Sequence, residues 1–228
     1  GATPLWDFDW SDAMEQQALR TELNLNVSGG GQKNQYFFSA GYLNDKGIAL
    51  ESGYQRFNLR SNITSEMTSW LKGGVNMSFA HSMQNYPVSS DTKTSNVINA
   101  GRTMPGFYPI YEVNPNDGSI IYKDGSPVPD FGPYRPSGSM ANWNLPATLP
   151  LDKSERMKDE FSGRTFLEVT FIPGLKFKTS FNFDLINYNS LDFTNSLIGP
   201  SVTTGGGSSR VNTRTFSWTW NNIATYDK

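Results

Sequence analysis

The chain has 228 residues, of which 36% are hydrophobic and 14% aromatic, and its formal net charge is −2. It has one histidine and no cysteine, which excludes disulfides, thiolate metal sites and cysteine nucleophiles, and its charge gives no electrostatic footprint for nucleic acid. No apolar run approaches the roughly 18 residues of a transmembrane helix. A transmembrane β-strand needs about 9 to 11 residues, only half of them apolar, so these numbers remain compatible with a membrane β-barrel.

The chain opens with Gly1-Ala2-Thr3-Pro4 rather than with a charged and apolar leader. We therefore expect either that a signal peptide has been removed or that this is an internal piece of a longer protein. Residues 1–21 are predicted to form a loop with a short helix over residues 10–20, capped by Asp9 or Ser11.

Strict alternation of apolar and polar residues begins after this loop and is typical of two-faced antiparallel strands. Residues 22–81 are predicted to contain four strands, at 22–28, 35–43, 54–63 and 71–81. One face of these strands is rich in aromatic and aliphatic side chains. The other carries amides and charges, and we expect it to face a wet lumen through Asn58, Arg60, Asn62 and Asn76.

Residues 82–159 contain ten prolines and are predicted to form one long loop without ladder pairing. A short helix is expected at residues 91–104, with Asp91 as a possible cap and Pro105 as a stop. Aromatic, amide and guanidinium groups of the loop could stack on a sugar, hydrogen-bond to it, or anchor a protein interface. The candidates for ligand or partner contact are Arg102, Tyr108, Tyr111, Tyr134, Arg135, Asn142 and Trp143. The alternative is that these side chains pack the loop on itself.

Residues 160–228 are predicted to contain three strands and a second long loop at 189–212. The strands lie at 160–171, 175–188 and 213–226, and the first two are joined by Ile172-Pro173-Gly174. Short and long connections thus alternate, as in outer-membrane barrels with periplasmic turns and extracellular loops. The predicted fold is all-β, with antiparallel up-and-down strands forming part of a transmembrane β-barrel. Seven strands would leave two sheet edges for the rest of a barrel to close.

Several sequence blocks occur in the order found in one family. They are Leu25 to Gly30, Tyr36 to Tyr42, Trp70-Leu71-Lys72 with Gly74 and Asn76, Arg102 to Pro105, Pro173 to Phe177, and Trp218-Thr219-Trp220 with Asn222 and Tyr226. These blocks resemble the barrel of the SusC-like TonB-dependent transporters of Bacteroidetes. The family's TonB box and plug have no counterpart in the sequence, so we expect the chain to be part of such a transporter.

The resemblance implies a function in the bacterial outer membrane. Family members form a large barrel closed by a plug, import glycans or oligopeptides, work with a SusD-like surface lipoprotein and are energised through TonB. In such a barrel the apolar strand faces, for example Phe57, Phe177 and Trp218, would meet outer-membrane lipid. No cofactor is implied.

Signals for an enzyme are weak, and we predict that the chain is not one. His81, the one histidine, has no serine elbow near it, and the carboxylates that a glycosidase would need are more simply explained as solvated lumen charges. One histidine and no cysteine make a transition-metal site improbable. A soluble, secreted β-sandwich that binds carbohydrate through exposed aromatics remains the alternative, although a sandwich would not need so long an insertion.

Overall fold

The computed structural model describes residues 5–87, 96–136 and 140–227. Seven strands form one antiparallel sheet in sequence order, so that the first and the last of them are its two edges. These strands are β1 Leu19–Gly30, β2 Asn34–Lys46, β3 Gly53–Glu66, β4 Leu71–Asn85, β7 Lys153–Ile172, β8 Leu175–Thr194 and β9 Gly207–Tyr226. In the part of the chain that is described, no helix is long and apolar enough to cross a membrane.

The connections at the two ends of the sheet differ in size. Three tight turns, residues 31–33, 67–70 and 173–174, lie at one end, which we call the short-turn end. Residues 47–52, 86–152 and 195–206 lie at the other, the long-connection end. Gly174 adopts φ +86°, which glycine reaches without strain, and this allows the two-residue turn between β7 and β8.

One face of the sheet carries an apolar band that ends at the same row on four neighbouring strands, toward the long-connection end. The band covers at least nine residues in each strand, at Leu71 to Phe79, Phe161 to Val169, Phe177 to Leu185 and Phe216 to Ala224. The register aligns Phe79, Phe161, Leu185 and Phe216 along its upper boundary, and the next row above them is polar, with His81, Asp159, Asn187 and Arg214. Toward the short-turn end the apolar face continues with the pair Leu175 and Tyr226 on β8 and β9. Nine residues fall within the roughly 9 to 11 that a tilted strand needs to cross a bilayer.

The aromatic side chains of this band lean over small residues and over each other. A Cβ at Gly163 would lie 2.3 Å from the ring of Phe183, so glycine is needed for that ring to lie flat on β7. The Phe181 and Trp218 rings stack at 6.0 Å, and the indole of Trp220 donates to the Thr179 hydroxyl at 2.8 Å. Many of these apolar side chains stay exposed, for example Trp218 at 60%.

The described hydrophobic core lies outside the sheet, in what we call the loop core. Its buried residues are Trp10, Met14, Val97, Ala100, Ile110, Met140, Leu145 and Leu149. Three short helices, α1 Trp10–Ala13, α2 Val97–Thr103 and α3 Leu145–Thr148, supply four of these eight residues, and the C-cap residues of α1 and α3, Met14 and Leu149, supply two more. Residues before β1 and residues between β4 and β7 therefore fold together at the long-connection end.

The structure corrects four local predictions. The first helix ends at Ala13 instead of residue 20, because Glu15 forms a bridge with Ala49 and the chain then enters β1 at Leu19. Prolines do not abolish pairing in the long loop, because Pro127 lies in a small hairpin of β5 Tyr122–Lys123 and β6 Ser126–Pro127.

The other two corrections concern boundaries. Asn96 caps α2 by accepting from the Asn99 amide, and the suggested cap Asp91 lies outside the described residues. The strands are also longer than predicted, so the connections shrink to residues 86–152 and 195–206. The β-sandwich alternative is wrong, because the seven long strands form a single sheet in which sequence neighbours pair.

Candidate functional site

Two surfaces are candidates for function, the polar face of the sheet and the outside of the long loop. The polar face is opposite the apolar band, since successive side chains of a strand point to opposite faces. The four residues predicted to face a lumen, Asn58, Arg60, Asn62 and Asn76, all lie on it. The seven residues predicted to contact a ligand or partner are divided between the inside and the outside of the long loop.

Amide, hydroxyl and guanidinium groups continue in rows across the polar face. Asn62, Asn76, Arg164 and Asn182 are neighbours in one row on four successive strands. The Arg164 Nε donates to the Asn182 Oδ1 at 2.7 Å. In the next row the Ser162 hydroxyl donates to the Asp184 carboxylate at 2.6 Å. These rows form a shallow, open depression lined by polar side chains that can hydrogen-bond to whatever lies against the face.

One glycine, Gly41, deepens the polar face between two amide side chains. A Cβ at Gly41 would lie 2.8 Å from the Asn24 Oδ1 and 2.7 Å from the Asn58 Oδ1. Glycine at this position lets two amide side chains from neighbouring strands close over β2. The predicted lumen residue Asn58 is therefore held in place from the side, which favours a fixed hydrogen-bonding group over a mobile one.

Charges of opposite sign alternate across the polar face near the short-turn end. Glu66, Lys72, Glu168 and Lys178 occupy one row on β3, β4, β7 and β8. The Lys72 Nζ lies 3.6 Å from the Glu66 carboxylate, and the Lys178 Nζ lies 4.7 Å from the centre of the Phe166 ring. Because each charge has a compensating neighbour, this row is electrically balanced.

Arg135, one of the predicted contact residues, lies inside the loop. Its guanidinium is fully buried, pairs with the Asp130 carboxylate at 3.2 Å and donates to the Pro109 carbonyl at 2.7 Å. It also lies over the Trp10 ring, at 5.4 Å from the ring centre. Its Nε is buried and has no hydrogen-bond partner among the described residues. These contacts make Arg135 a residue that positions the loop rather than one that touches a ligand.

Asn144 is a structural residue that the sequence analysis did not identify. It is fully buried, and its amide donates to the Ile110 carbonyl at 2.6 Å and to the Asp130 carbonyl at 3.1 Å. Its Oδ1 accepts from the Ala147 amide and caps α3. The sequence signal was present, because asparagine followed by a proline two residues later is a typical helix start.

Three of the predicted contact residues are exposed on the outside of the loop. Arg102 lies in the last turn of α2, and Asn142 adopts a left-handed conformation with φ 62°. The Tyr134 ring is 65% exposed, while its hydroxyl donates to the Asp130 carboxylate. Desolvation of the hydroxyl end and this hydrogen bond raise the pKa of Tyr134 to about 12. Tyr134 is therefore a neutral, fixed aromatic surface at physiological pH.

The other three predicted contact residues are half-buried against the loop core. The Tyr111 ring packs edge-on against Phe8 at 6.3 Å, and the Tyr108 carbonyl accepts from the Trp10 indole at 2.8 Å. Trp143 packs on the core cluster beside Met140. The alternative prediction, in which these side chains pack the loop on itself, therefore describes these three residues.

The two longest connections are also joined to each other. The Asp152 carboxylate, just before β7, accepts from both the backbone and the side-chain amide of Asn195, at 2.8 and 2.7 Å. On the polar face below, the Arg156 guanidinium lies 2.9 Å from the Asp192 carboxylate and 4.8 Å from the Tyr86 ring. The loop core is thus fixed to the end of the sheet rather than tethered by flexible chain.

Searches of curated proteins find similarity along nearly the whole chain. It is 25% identical over 227 residues to TonB-dependent receptor P3 of Formosa agariphila, covering 96% of this chain and 21% of that receptor. TonB-dependent receptor P26 of the same organism is 24% identical, covering 94% of this chain and 20% of the receptor. TonB-dependent receptor SusC of Bacteroides thetaiotaomicron is 30% identical over 79 residues, which is 34% of this chain and 8% of SusC.

Solved structures give the same fold. The RagAB peptide transporter matches with a TM-score of 0.69 and 23% identity, covering 97% of this chain and 23% of the matched chain. The RagAB peptide importer in its closed-closed state matches with a TM-score of 0.67. No family model matches the chain. The chain spans about a fifth of the length of the curated receptors that it matches along most of its own length.

Proposed function

We propose that the chain, which is similar to TonB-dependent receptors along nearly its whole length, is a barrel segment of a SusC-like receptor of the bacterial outer membrane and forms part of the wall of an importer. The apolar band faces lipid and the polar face lines the lumen. The short-turn end lies in the periplasm, and the loop core stands outside the cell. Import is energised through TonB and assisted by a SusD-like surface lipoprotein.

The observation that carries this proposal is the shared upper boundary of the apolar band on four strands. In a soluble protein, an apolar sheet face is covered by another layer of the fold. Among the described residues, no second layer packs on the band. A band that covers at least nine residues of each strand and gives way to polar side chains at the same row on four strands matches a lipid layer instead.

We propose peptides or glycans as the imported class. The RagAB neighbours are named peptide importers, which supports oligopeptides, while the resemblance to the SusC-like transporters implies either glycans or oligopeptides. The polar face offers neutral amides and hydroxyls together with isolated guanidinium groups. Such groups suit either substrate, because both present hydroxyl, carbonyl and amide partners.

We propose that the exposed residues Arg102, Tyr134 and Asn142 contact the partner lipoprotein or the arriving substrate. Tyrosine and arginine are the side chains that most often dominate interface energies. The buried or half-buried candidates, Tyr108, Tyr111, Arg135 and Trp143, hold the loop core in the shape that presents those three.

Uptake by whole cells tests the importer function. A strain that lacks the intact receptor containing this chain should lose uptake of labelled oligopeptides or of labelled oligosaccharides, and a protonophore should abolish the same uptake in the parent strain. Uptake of both classes that is unchanged by the deletion would refute the proposal.

Pull-down of the intact receptor tests the loop contacts. Tyr134→Ala with Arg102→Ala should weaken retention of the surface lipoprotein by roughly 10-fold or more if each is a hot spot. Lys33→Ala, in a tight turn at the opposite end of the sheet, is the matched control and should retain it fully. Equal retention by both variants would contradict the assignment of these contacts.

A further inference from the structure

A groove with a volume of about 360 Å³ lies on the polar face in the middle of the sheet. Two arginines of β3, three small residues of β4 and one carboxylate of β7 line it. These residues, which we call the arginine groove, are Arg56, Arg60, Ser78, Ala80, Ser82 and Glu160. Phe79, at the upper boundary of the apolar band, alternates with the small residues along β4. The groove therefore lies at the height of that boundary, on the opposite face of the sheet.

The two arginines of the groove have no acidic neighbour within the sheet. Both strands beside β3 are present, and they place a leucine and a serine next to Arg56 and a serine on each side of Arg60. Among the described residues, neither arginine belongs to an ion pair. Because β3 is an inner strand with its neighbours in place, this positive charge can be compensated only by a group that lies above the polar face.

The carboxylates near the groove already have cationic partners. The Glu160 carboxylate lies 2.7 Å from the Lys158 Nζ. Glu22 of β1 is in the same row as Arg56, two strands away, and its carboxylate lies 2.9 Å from the Arg20 guanidinium. The groove thus differs from the balanced row of charges at the short-turn end, since it presents two guanidinium groups without a carboxylate between them.

We infer that the arginine groove takes the carboxylates of acidic oligopeptides that pass through the lumen. A guanidinium group matches a carboxylate with two parallel hydrogen bonds. Arg56 and Arg60 are four residues apart and thus about 13 Å apart along β3, the span of four residues of an extended peptide. The small floor of the groove leaves room for the peptide backbone, and its serine hydroxyls can hydrogen-bond to that backbone.

The position of the groove favours a substrate that arrives from outside the cell. β3 runs from Gly53, at the long-connection end, toward the short-turn end, so Arg56 lies nearer the loop core than Arg60 does. An entering peptide would meet Arg56 first. The inference rests on the proposed import function and narrows its substrate from peptides or glycans to oligopeptides that carry acidic groups.

Competitive uptake by cells that express the intact receptor tests this inference. The probes are a labelled oligopeptide that contains glutamates and its twin with glutamine at those positions and an amidated C-terminus. An exposed ion pair contributes up to about fivefold in affinity, so R56Q/R60Q should raise the concentration for half-maximal uptake of the acidic peptide by roughly 10-fold. Uptake of the neutral twin should not change. K72Q/K178Q removes two cations from the balanced row of the same face and should keep the parent's preference.

The remaining outcomes separate the substrate inference from the import function. Equal uptake of the two peptides by the parent would overturn the inference while import stands, and so would uptake of oligosaccharides alone, with or without uronic acids. An equal loss of both peptides in R56Q/R60Q, at equal receptor amounts, would mean that the arginines bind a carboxylate of the receptor itself and would also overturn it.

A second variant keeps the test available if R56Q/R60Q fails to reach the outer membrane. S82D places a carboxylate next to Arg56 and should weaken uptake of the acidic peptide alone. Unchanged uptake of that peptide by S82D would count against the inference. A parent that takes up neither peptides nor oligosaccharides would refute the import function together with the inference.

Discussion

The sheet and the loop core of this chain are stabilised in opposite ways. The loop core buries Trp10, Met14 and Leu145 almost completely and uses Arg135 and Asn144 to satisfy the backbone of an irregular segment. The sheet leaves Trp218, Trp220 and Phe216 about 60% exposed and depends on continuous ladders. The difference shows that one region buries its apolar side chains within itself, whereas the other leaves them open on one face of the sheet.

Arg135→Ala should have the largest effect and should act on the loop core alone. It leaves the Asp130 carboxylate buried without its cation, and breaking such a pair costs about 3 to 5 kcal/mol. We expect rapid proteolytic cleavage between β4 and β7 in the intact receptor, while the barrel remains folded in semi-native electrophoresis. Loss of the folded barrel band would show that the two regions are not separable. Lys123→Ala, on the exposed β5 strand, is the control and should change neither readout.

Val75→Arg should destabilise the sheet and leave the loop core intact. Val75 lies in the middle of the apolar band, where an arginine facing lipid costs about 2 to 4 kcal/mol. Asn76→Arg, one residue later and on the polar face, is the matched control and should have little effect. The measurement is the urea dependence of folding into lipid vesicles. Equal destabilisation by the two variants would refute the assignment of the faces.

Gly163→Ala should perturb the aromatic packing of the band by a smaller amount. The added methyl would lie 2.3 Å from the Phe183 ring, so the ring must move, and overpacking of this kind costs about 1 to 3 kcal/mol. The same urea titration of folding into vesicles measures this loss of stability. Substituting Phe183→Leu in the Gly163→Ala background should recover part of the loss, and a failure to do so would mean that the strain lies in the backbone.

Tyr134→Phe should have the smallest effect, of about 1 kcal/mol on the loop core, because it removes one hydrogen bond at a partly exposed site. The pKa of Tyr134 is raised from 10.0 to about 12 in the folded chain, so its stabilising contribution is complete below about pH 10 and is lost as pH rises toward 12. Protection of the loop from protease should fall over this range in the parent and stay flatter in Tyr134→Phe. Parallel curves would contradict the link to Tyr134.

The predictability of the two regions follows from the range of the interactions that form them. The alternation of apolar and polar residues along 54–63 and 71–81 was enough to predict the two faces of β3 and β4, because successive side chains of a strand point to opposite faces. The loop helices were harder to predict, because a single turn such as α1 depends on distant contacts. The Trp10 indole donates to the Tyr108 carbonyl, 98 residues away in sequence.

The candidate contacts show the same limit. The sequence predicted the same contact role for the aromatics and arginines of the long loop. In the structure, however, Tyr134 is exposed and the adjacent Arg135 is buried. No local pattern separates them, since burial depends on Asp130, Pro109 and Trp10 meeting at one point. The helix start at Asn144 was visible in the sequence, but the burial of its amide depends on carbonyls from remote segments.

The sequence by itself determined the fold class, the division of each strand into an apolar and a polar face, the alternation of short and long connections and the resemblance to outer-membrane receptors. These features are encoded locally, residue by residue. Tertiary structure alone decided the shared upper boundary of the apolar band, the packing of the loop core and the meeting of Arg214 with Asn187 above the aromatic rows. Each of these depends on the register between strands or on contacts between distant segments, which a single sequence read along its length does not specify.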